Sequence, residues 1–282
     1  MSQGLYRYEN CYGMLETIRT ELNEYSVAKC QGTETGVYDN SDIVRKINQA
    51  QRYIWNMLFV RFPDLFLTSA TVTGTSGTYA LPSDLFRLVN ITNSNGDKIN
   101  PINVQTKKLG TSTGSDYLYY RRGNTVVRDS GISDALTINY YKEPRELTQG
   151  MAAGGSSTTI ILAATAKKVA DYYNGLIIEN ATDDWFDTIS DYTAARVATI
   201  TNRCSYGKYY GTVSELPETF HHLITKKAII ELKSSPVSPQ KASVQEIGDF
   251  RDDITETLRA FTGTYGSDVS MSELFYDFRP YA

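Results

Sequence analysis

The chain has 282 residues, a formal net charge of −4 and 21% charged residues. These values exclude a disordered acidic chain and a supercharged surface, and they argue against broad, sequence-independent DNA binding, which needs clustered Lys and Arg. They leave room for a ring around a DNA-sized hole, because a channel that passes DNA without gripping it is not strongly basic.

The opening MSQGLYRYENCYG has no basic stretch followed by an apolar one, so no signal peptide is expected. No run approaches the roughly 20 apolar residues needed to cross a bilayer. Cys11, Cys30 and Cys204 are too few and too far apart for a disulfide framework or a metal knuckle, and they read as free thiols in a reducing compartment. The 21 tyrosines combine apolar faces with polar tips and suit partly wet interfaces.

In chain order, Cys11, Met14, Leu15, Ile18, Leu22 and Tyr25 share one helical face, which predicts a helix over residues 10–29 capped by Asn10. A second helix is predicted over residues 41–62 from Ile43, Ile47, Ala50, Ile54, Met57 and Leu58, with Pro63 ending it. A β-rich stretch follows. Residues 71–73 and 78–80 read as a short hairpin around Gly74 and Gly77. Residues 86–91 and 98–104 flank a turn at residues 93–96. Residues 116–121 pair with 125–128 around Gly123, and residues 135–141 alternate as a strand. Residues 149–157 read as a flexible junction, and residues 163–173 are read as strand in preference to helix. Strands are expected at 158–162, 176–179 and 196–201. A helix starts at Pro217, a linker covers residues 234–239, and a last helix spans residues 240–261.

The expected fold is α+β: an α-helical bundle core with a two-part β-rich insertion and an extended C-terminal arm. The divisions fall at residues 1–66 (N-terminal core helices), 67–148 (first β-rich region), 149–213 (second), 214–261 (helices completing the core) and 262–282 (aromatic arm).

No phosphate loop, dinucleotide-binding turn or nucleophile elbow is present, and Gly110, Gly114 and Gly123 do not join strand to helix as a phosphate cradle requires. His221 and His222 are adjacent, so on a helix they point about 100° apart and do not make the metal pair of zinc proteases. They are candidates for a pH-sensitive interface. Asp183, Asp184 and Asp187 around Trp185 and Phe186 fit a cation site, a sugar cleft or a solvated turn. Glu246, Asp249, Asp252 and Asp253 read as the wet face of the last helix. Lys107, Lys108, Arg121 and Arg122 read as a solvated hairpin end or, if the protein forms a ring, as candidate contacts to DNA phosphates, a portal or a tail component. No catalytic residue, metal site or cofactor is expected.

Four stretches resemble the head-to-tail adaptor (connector) proteins of tailed bacteriophages, including those of short-tailed phages. They are DIVRKINQAQRYIW at residues 42–55, GTYALPSDLFRL at 77–88, DYYNGLII at 171–178 with ISDYTAAR at 189–196, and LPETFHHLI at 216–224. The resemblance implies a structural virion protein at the head–tail junction that resides in the host cytoplasm before assembly. It implies a homo-oligomeric ring, usually of twelve copies, below the portal protein. Such a ring extends the DNA channel without sequence-specific binding and carries tail tube, nozzle or fibre proteins, with no membrane involved. Tyr265, Phe275, Tyr276, Phe278 and Tyr281 would form the portal-binding arm. Two other readings stay open: a tail-tube or nozzle protein, and a carbohydrate-binding module using Tyr117, Tyr119, Tyr120, Tyr140 and Tyr141.

Overall fold

The computed structural model describes residues 10–102, 118–128, 134–180, 182, 185–201, 207–236 and 238–265. The chain forms two compact units, one from Met1–Ile54 with Arg145–Ala282, the other from Trp55–Pro144.

In the first unit, α1 spans Cys11–Glu21, and the Asn10 side chain caps it by accepting the Gly13 N–H at 2.8 Å. The expected single helix over residues 10–29 is broken. Asn23 takes a positive φ of 54°, which asparagine tolerates, and a separate short helix α2, Val27–Cys30, restarts behind the Ser26 cap. Arg19 is 1% exposed because it ties this turn down. Its guanidinium donates to Tyr38 O at 2.9 Å and to Asn40 Oδ1 at 2.6 Å.

Helix α3, Asn40–Arg61, matches the predicted second helix, with Ile43, Ile47, Ala50 and Ile54 fully buried along one face. After the short 3-10 turns of Glu218–Phe220 come α4, His221–Lys233, and α5, Val244–Tyr265. Helix α5 begins with a capping box: Ser243 Oγ accepts the Glu246 N–H at 3.0 Å, and Glu246 Oε2 accepts the Ser243 N–H at 2.7 Å. Glu246 also binds Lys233 at 2.5 Å, joining the start of α5 to the end of α4.

Two four-stranded sheets complete this unit. One has the order β13-β14-β10-β9, from Asp191–Tyr192, Val197–Thr199, Thr159–Ile161 and Gly154–Gly155. The other has the order β12-β11-β15-β8, from Trp185–Thr188, Ile177–Asn180, Tyr209–Thr212 and Gln149–Met151. Ile160, Leu162, Tyr173, Ile178, Ile189 and Tyr210 share their core. The expected flexible junction is therefore ordered as β8 and β9. A Cβ on Gly150 would lie 2.6 Å from the Ala163 Cβ, so that glycine serves close packing rather than mobility. Residues 163–173 form turns rather than the expected strand, ending at Asp171 (φ 62°) and Gly175 (φ 81°).

Helix α1 rests on β15. The Asn10 side-chain amide donates to the Glu179 carboxylate on β11, and Asn10 bridges Val213 through the backbone. Gly211 permits this approach, since a Cβ there would come within 2.7 Å of the Tyr12 backbone nitrogen. Arg145 binds Glu215 through its side chain at 2.8 Å and also donates to the Asn174 carbonyl.

The second unit is one seven-stranded sheet, ordered β1-β7-β3-β4-β5-β6-β2. Its strands are Leu67–Val72, Thr78–Ala80, Leu85–Thr92, Lys98–Pro101, Leu118–Arg122, Thr125–Arg128 and Leu136–Lys142, numbered β1 to β7 in chain order. The predicted turn at residues 93–96 is present: Asn93 Oδ1 accepts the Asp97 N–H at 2.8 Å and Gly96 takes φ 86°. The β5–β6 hairpin is also as expected. The expected hairpin of residues 71–73 with 78–80 is not formed, because β1 pairs with β7 while β2 pairs with β6. Tyr79, Ile91, Ile99, Val126, Leu136 and Ile138 fill this unit's core. A separate aromatic cluster joins Trp55 to Phe59 at 5.1 Å and to Phe86 at 4.8 Å, and Phe59 to Tyr141 at 5.4 Å.

The expectation of an α-helical bundle core is overturned. Among the described residues fifteen strands, in one seven-stranded and two four-stranded sheets, outnumber the five α-helices. Each helix has one apolar face, as the sequence suggests, but α1 uses part of its face against β8 and β15, and the sheets bury cores of their own.

Candidate interaction surfaces

At the β5–β6 turn, Gly123 takes φ 59° and reverses the chain. Thr125 Oγ1 donates to the Arg122 carbonyl at 2.7 Å and Arg121 Nε donates to the Gly123 carbonyl at 3.1 Å. Arg121 and Arg122 are exposed, while Val126 and Arg128 behind them are buried. Arg128 is held by Asp134. Lys107 and Lys108 lie outside the described residues.

The two histidines separate as their adjacency requires. His221 is buried, its Nε2 bonding the Leu216 carbonyl at 2.8 Å, and burial holds its pKa below the ordinary value. His222 is exposed, and its pKa is lowered by partial burial and then by the neighbouring Lys226.

His222 stands where two surface grooves between α4 and α5 meet. One, of about 350 Å³, is walled by Ile229, Ile230 and Phe250; the other, of about 610 Å³, runs on toward Phe261. Along α5, Glu246, Asp249, Asp253 and Glu256 recur at helical spacing and line these grooves. Lys233 neutralises Glu246 and pulls its pKa down to about 2, with the Ser243 backbone N–H as the next cause. Lys226 pairs with Asp253. Asp249 accepts only the neutral Gln245 amide, at 2.7 Å, among the described residues. The sequence shows the carboxylates; it does not show that two would be neutralised from α4 and two left uncovered.

Asp187 is structural: its carboxylate accepts the Thr201 N–H at 2.6 Å and the Thr201 hydroxyl at 2.8 Å. Asp183 and Asp184 lie outside the described residues. Among the described residues no group of three or more His, Cys, Asp or Glu is placed to hold a metal ion, and no helix is long and apolar enough to cross a membrane. Of the tyrosines considered for sugar stacking, Tyr119 and Tyr140 are buried in the sheet core, Tyr141 packs on Phe59, Tyr120 is half-buried, and Tyr117 is outside the described residues. Tyr265 is the last residue of α5; Phe275, Tyr276, Phe278 and Tyr281 lie outside the described residues.

No curated protein matches the chain. The family described as SU10 adaptor protein matches residues 10–196, from the Asn10 cap of α1 through the whole seven-stranded sheet to the turn before β14. That match covers well over half of the 282 residues, and the chain belongs to the SU10 adaptor protein family.

Proposed function

We propose that this phage adaptor assembles as a homo-oligomeric ring below the portal, extends the DNA channel and forms the attachment platform for the tail. The observation that carries the reading is the family match over residues 10–196. The division into two compact units supports it, since a ring needs two different faces on every subunit. A net charge of −4 also suits a channel wall that lets DNA slide. In this reading the aromatic residues beyond α5 reach the portal, and Arg121 and Arg122 present a basic edge to a virion partner.

The test is to mix the purified protein with the portal of the same phage and image the sample by cryo-electron microscopy. The expected result is an added ring beneath the portal, with residues 262–282 ordered on portal surface and the copy number read directly. Binding only to tail tube, or only to a finished adaptor–portal complex, would move the protein down the tail.

A further inference from the structure

We propose that the α4–α5 groove receives the Arg121–Arg122 hairpin turn of a second copy of this chain. Three observations converge on it. The first is Thr225, which lines the groove. Four other helical threonines return their hydroxyls to the carbonyl one turn back, Thr17 to Gly13, Thr20 to Glu16, Thr255 to Arg251 and Thr262 to Leu258, while the half-buried Thr257 does not. Thr225 is 4% exposed and its hydroxyl makes no hydrogen bond. A buried polar group is ordinarily satisfied, and this hydroxyl, one of seven such orphaned side-chain atoms among the described residues, lies unused beside the groove.

The second observation is the shape and charge of the groove. Its apolar wall of Ile229, Ile230 and Phe250 suits the methylene stem of an arginine, and its rim carries the carboxylates that a guanidinium binds in paired, charge-assisted hydrogen bonds. Lys226 and Lys233 already cover Asp253 and Glu246, which leaves Asp249 and Glu256 for an incoming cation.

The third observation is the hairpin turn. Arg121 and Arg122 are exposed and neither forms an ion pair among the described residues. Adjacent strand residues point to opposite sides, so the two guanidinium groups are splayed. Asp249 and Glu256 are seven residues apart, about 10 Å along a helix at 1.5 Å per residue, a span that two splayed arginines can bridge. Turn and groove are different surfaces of the chain, as a head-to-tail contact that propagates from copy to copy requires. The inference rests on the ring reading for why copies meet, and it names the partner of the basic turn.

The test is analytical ultracentrifugation of the purified full chain, with portal binding measured in parallel. Wild type is expected to self-associate in a concentration-dependent way, and to dissociate when salt rises from about 50 mM to about 0.5 M. Arg121→Glu with Arg122→Glu, and separately Asp249→Lys with Glu256→Lys, should each weaken association at least about tenfold. Mixing the two variants should recover it. The reversed hairpin of the first then meets the reversed groove of the second, and the native hairpin of the second meets the native groove of the first. Placing all four changes in one chain should also restore association. A wild type that stays monomeric at every concentration overturns the proposal, as does association untouched by arginine reversal or not restored by the fourfold swap. Loss of association on truncation after Tyr265, with arginine reversal silent, would make the C-terminal segment the occupant and also overturn it. Failure of portal binding with self-association intact would count against the adaptor reading alone.

Discussion

Asn10 does two jobs from one buried position, and replacing it separates them. Its Oδ1 caps α1 at 2.8 Å from the Gly13 nitrogen, while its amide donates to Glu179, whose side chain is 3% exposed. Asn10→Ala removes a helix N-cap, about 1 kcal/mol. It also takes a donor from a buried carboxylate, roughly another 1–3 kcal/mol. The total of about 2–4 kcal/mol lowers Tm by roughly 5–15 °C for a unit of this size, at about 2–4 °C per kcal/mol. Asn10→Asp keeps the cap but sets a second carboxylate against Glu179. Two carboxylates sharing one site resist ionising together, so the folded variant holds a proton that the unfolded chain releases. The folded state then binds more protons, and the variant's stability rises as pH falls from neutral toward about 5. Thermal melts followed by far-UV circular dichroism across that range measure both effects. A drop of less than about 2 °C for Asn10→Ala, or an Asn10→Asp melt equal to wild type at neutral pH, would refute the account.

Gly211→Ala should destabilise the same unit by about 1–3 kcal/mol, because its Cβ would stand 2.7 Å from the Tyr12 nitrogen and 3.1 Å from the Tyr12 Cβ. A urea midpoint equal to wild type would show that α1 can lift off β15 without cost. Acidification should destabilise the unit through His221. Burial lowers its folded pKa below the ordinary 6.5; the unfolded chain therefore binds more protons, and stability present above about 6.5 is lost as pH falls below it. His222 is shifted in the same direction, so the double variant His221→Gln, His222→Gln should flatten the stability–pH curve between about 6.5 and 5. An unchanged slope in denaturant titrations would exclude the histidines as its source.

Where apolar residues recur over many turns, the sequence is legible. Helix α3 runs Asn40–Arg61 against an expected 41–62, and β7 runs Leu136–Lys142 against an expected 135–141. The strands β8, β9 and β13 have three, two and two residues, too short for any alternation to register. Their glycines look like a linker, although Gly150 and Gly154 sit against Ala163 and Ile161. Most of the longer strands are legible, but reading them as an insertion leaves the helices to supply the core, whereas the sheets bury cores of their own. Of the candidate surfaces, the basic turn and the last helix's acidic face can be read from charge spacing. The groove cannot, because it depends on which carboxylates Lys226 and Lys233 cover and on the unpaired Thr225 hydroxyl.

The tyrosine-rich composition has a structural cause that qualifies its reading as interface chemistry. Strands of two to four residues supply few ladder hydrogen bonds and cannot hold a sheet by themselves. In the first unit phenol groups take over that work. Tyr210 Oη accepts the Ala163 N–H at 2.7 Å, Tyr173 Oη accepts the Lys167 N–H at 3.2 Å, Tyr192 Oη donates to the Lys167 carbonyl at 2.5 Å, and Tyr172 Oη accepts the Glu146 N–H at 3.0 Å. The same device fixes Tyr38 to the Leu232 carbonyl at 2.9 Å and Tyr79 to the Asp134 carbonyl at 2.8 Å. Apart from Tyr38, whose partner lies at the end of helix α4, each hydroxyl reaches a backbone group outside the strands and satisfies polar atoms that no ladder pairs. Burial raises the Tyr192 pKa to about 12 and shifts Tyr173 and Tyr210 upward too, so these phenols stay neutral at neutral pH. A short-stranded, turn-rich fold therefore needs a side chain that is large, apolar along its length and polar at its far end, and tyrosine is the residue that meets all three demands.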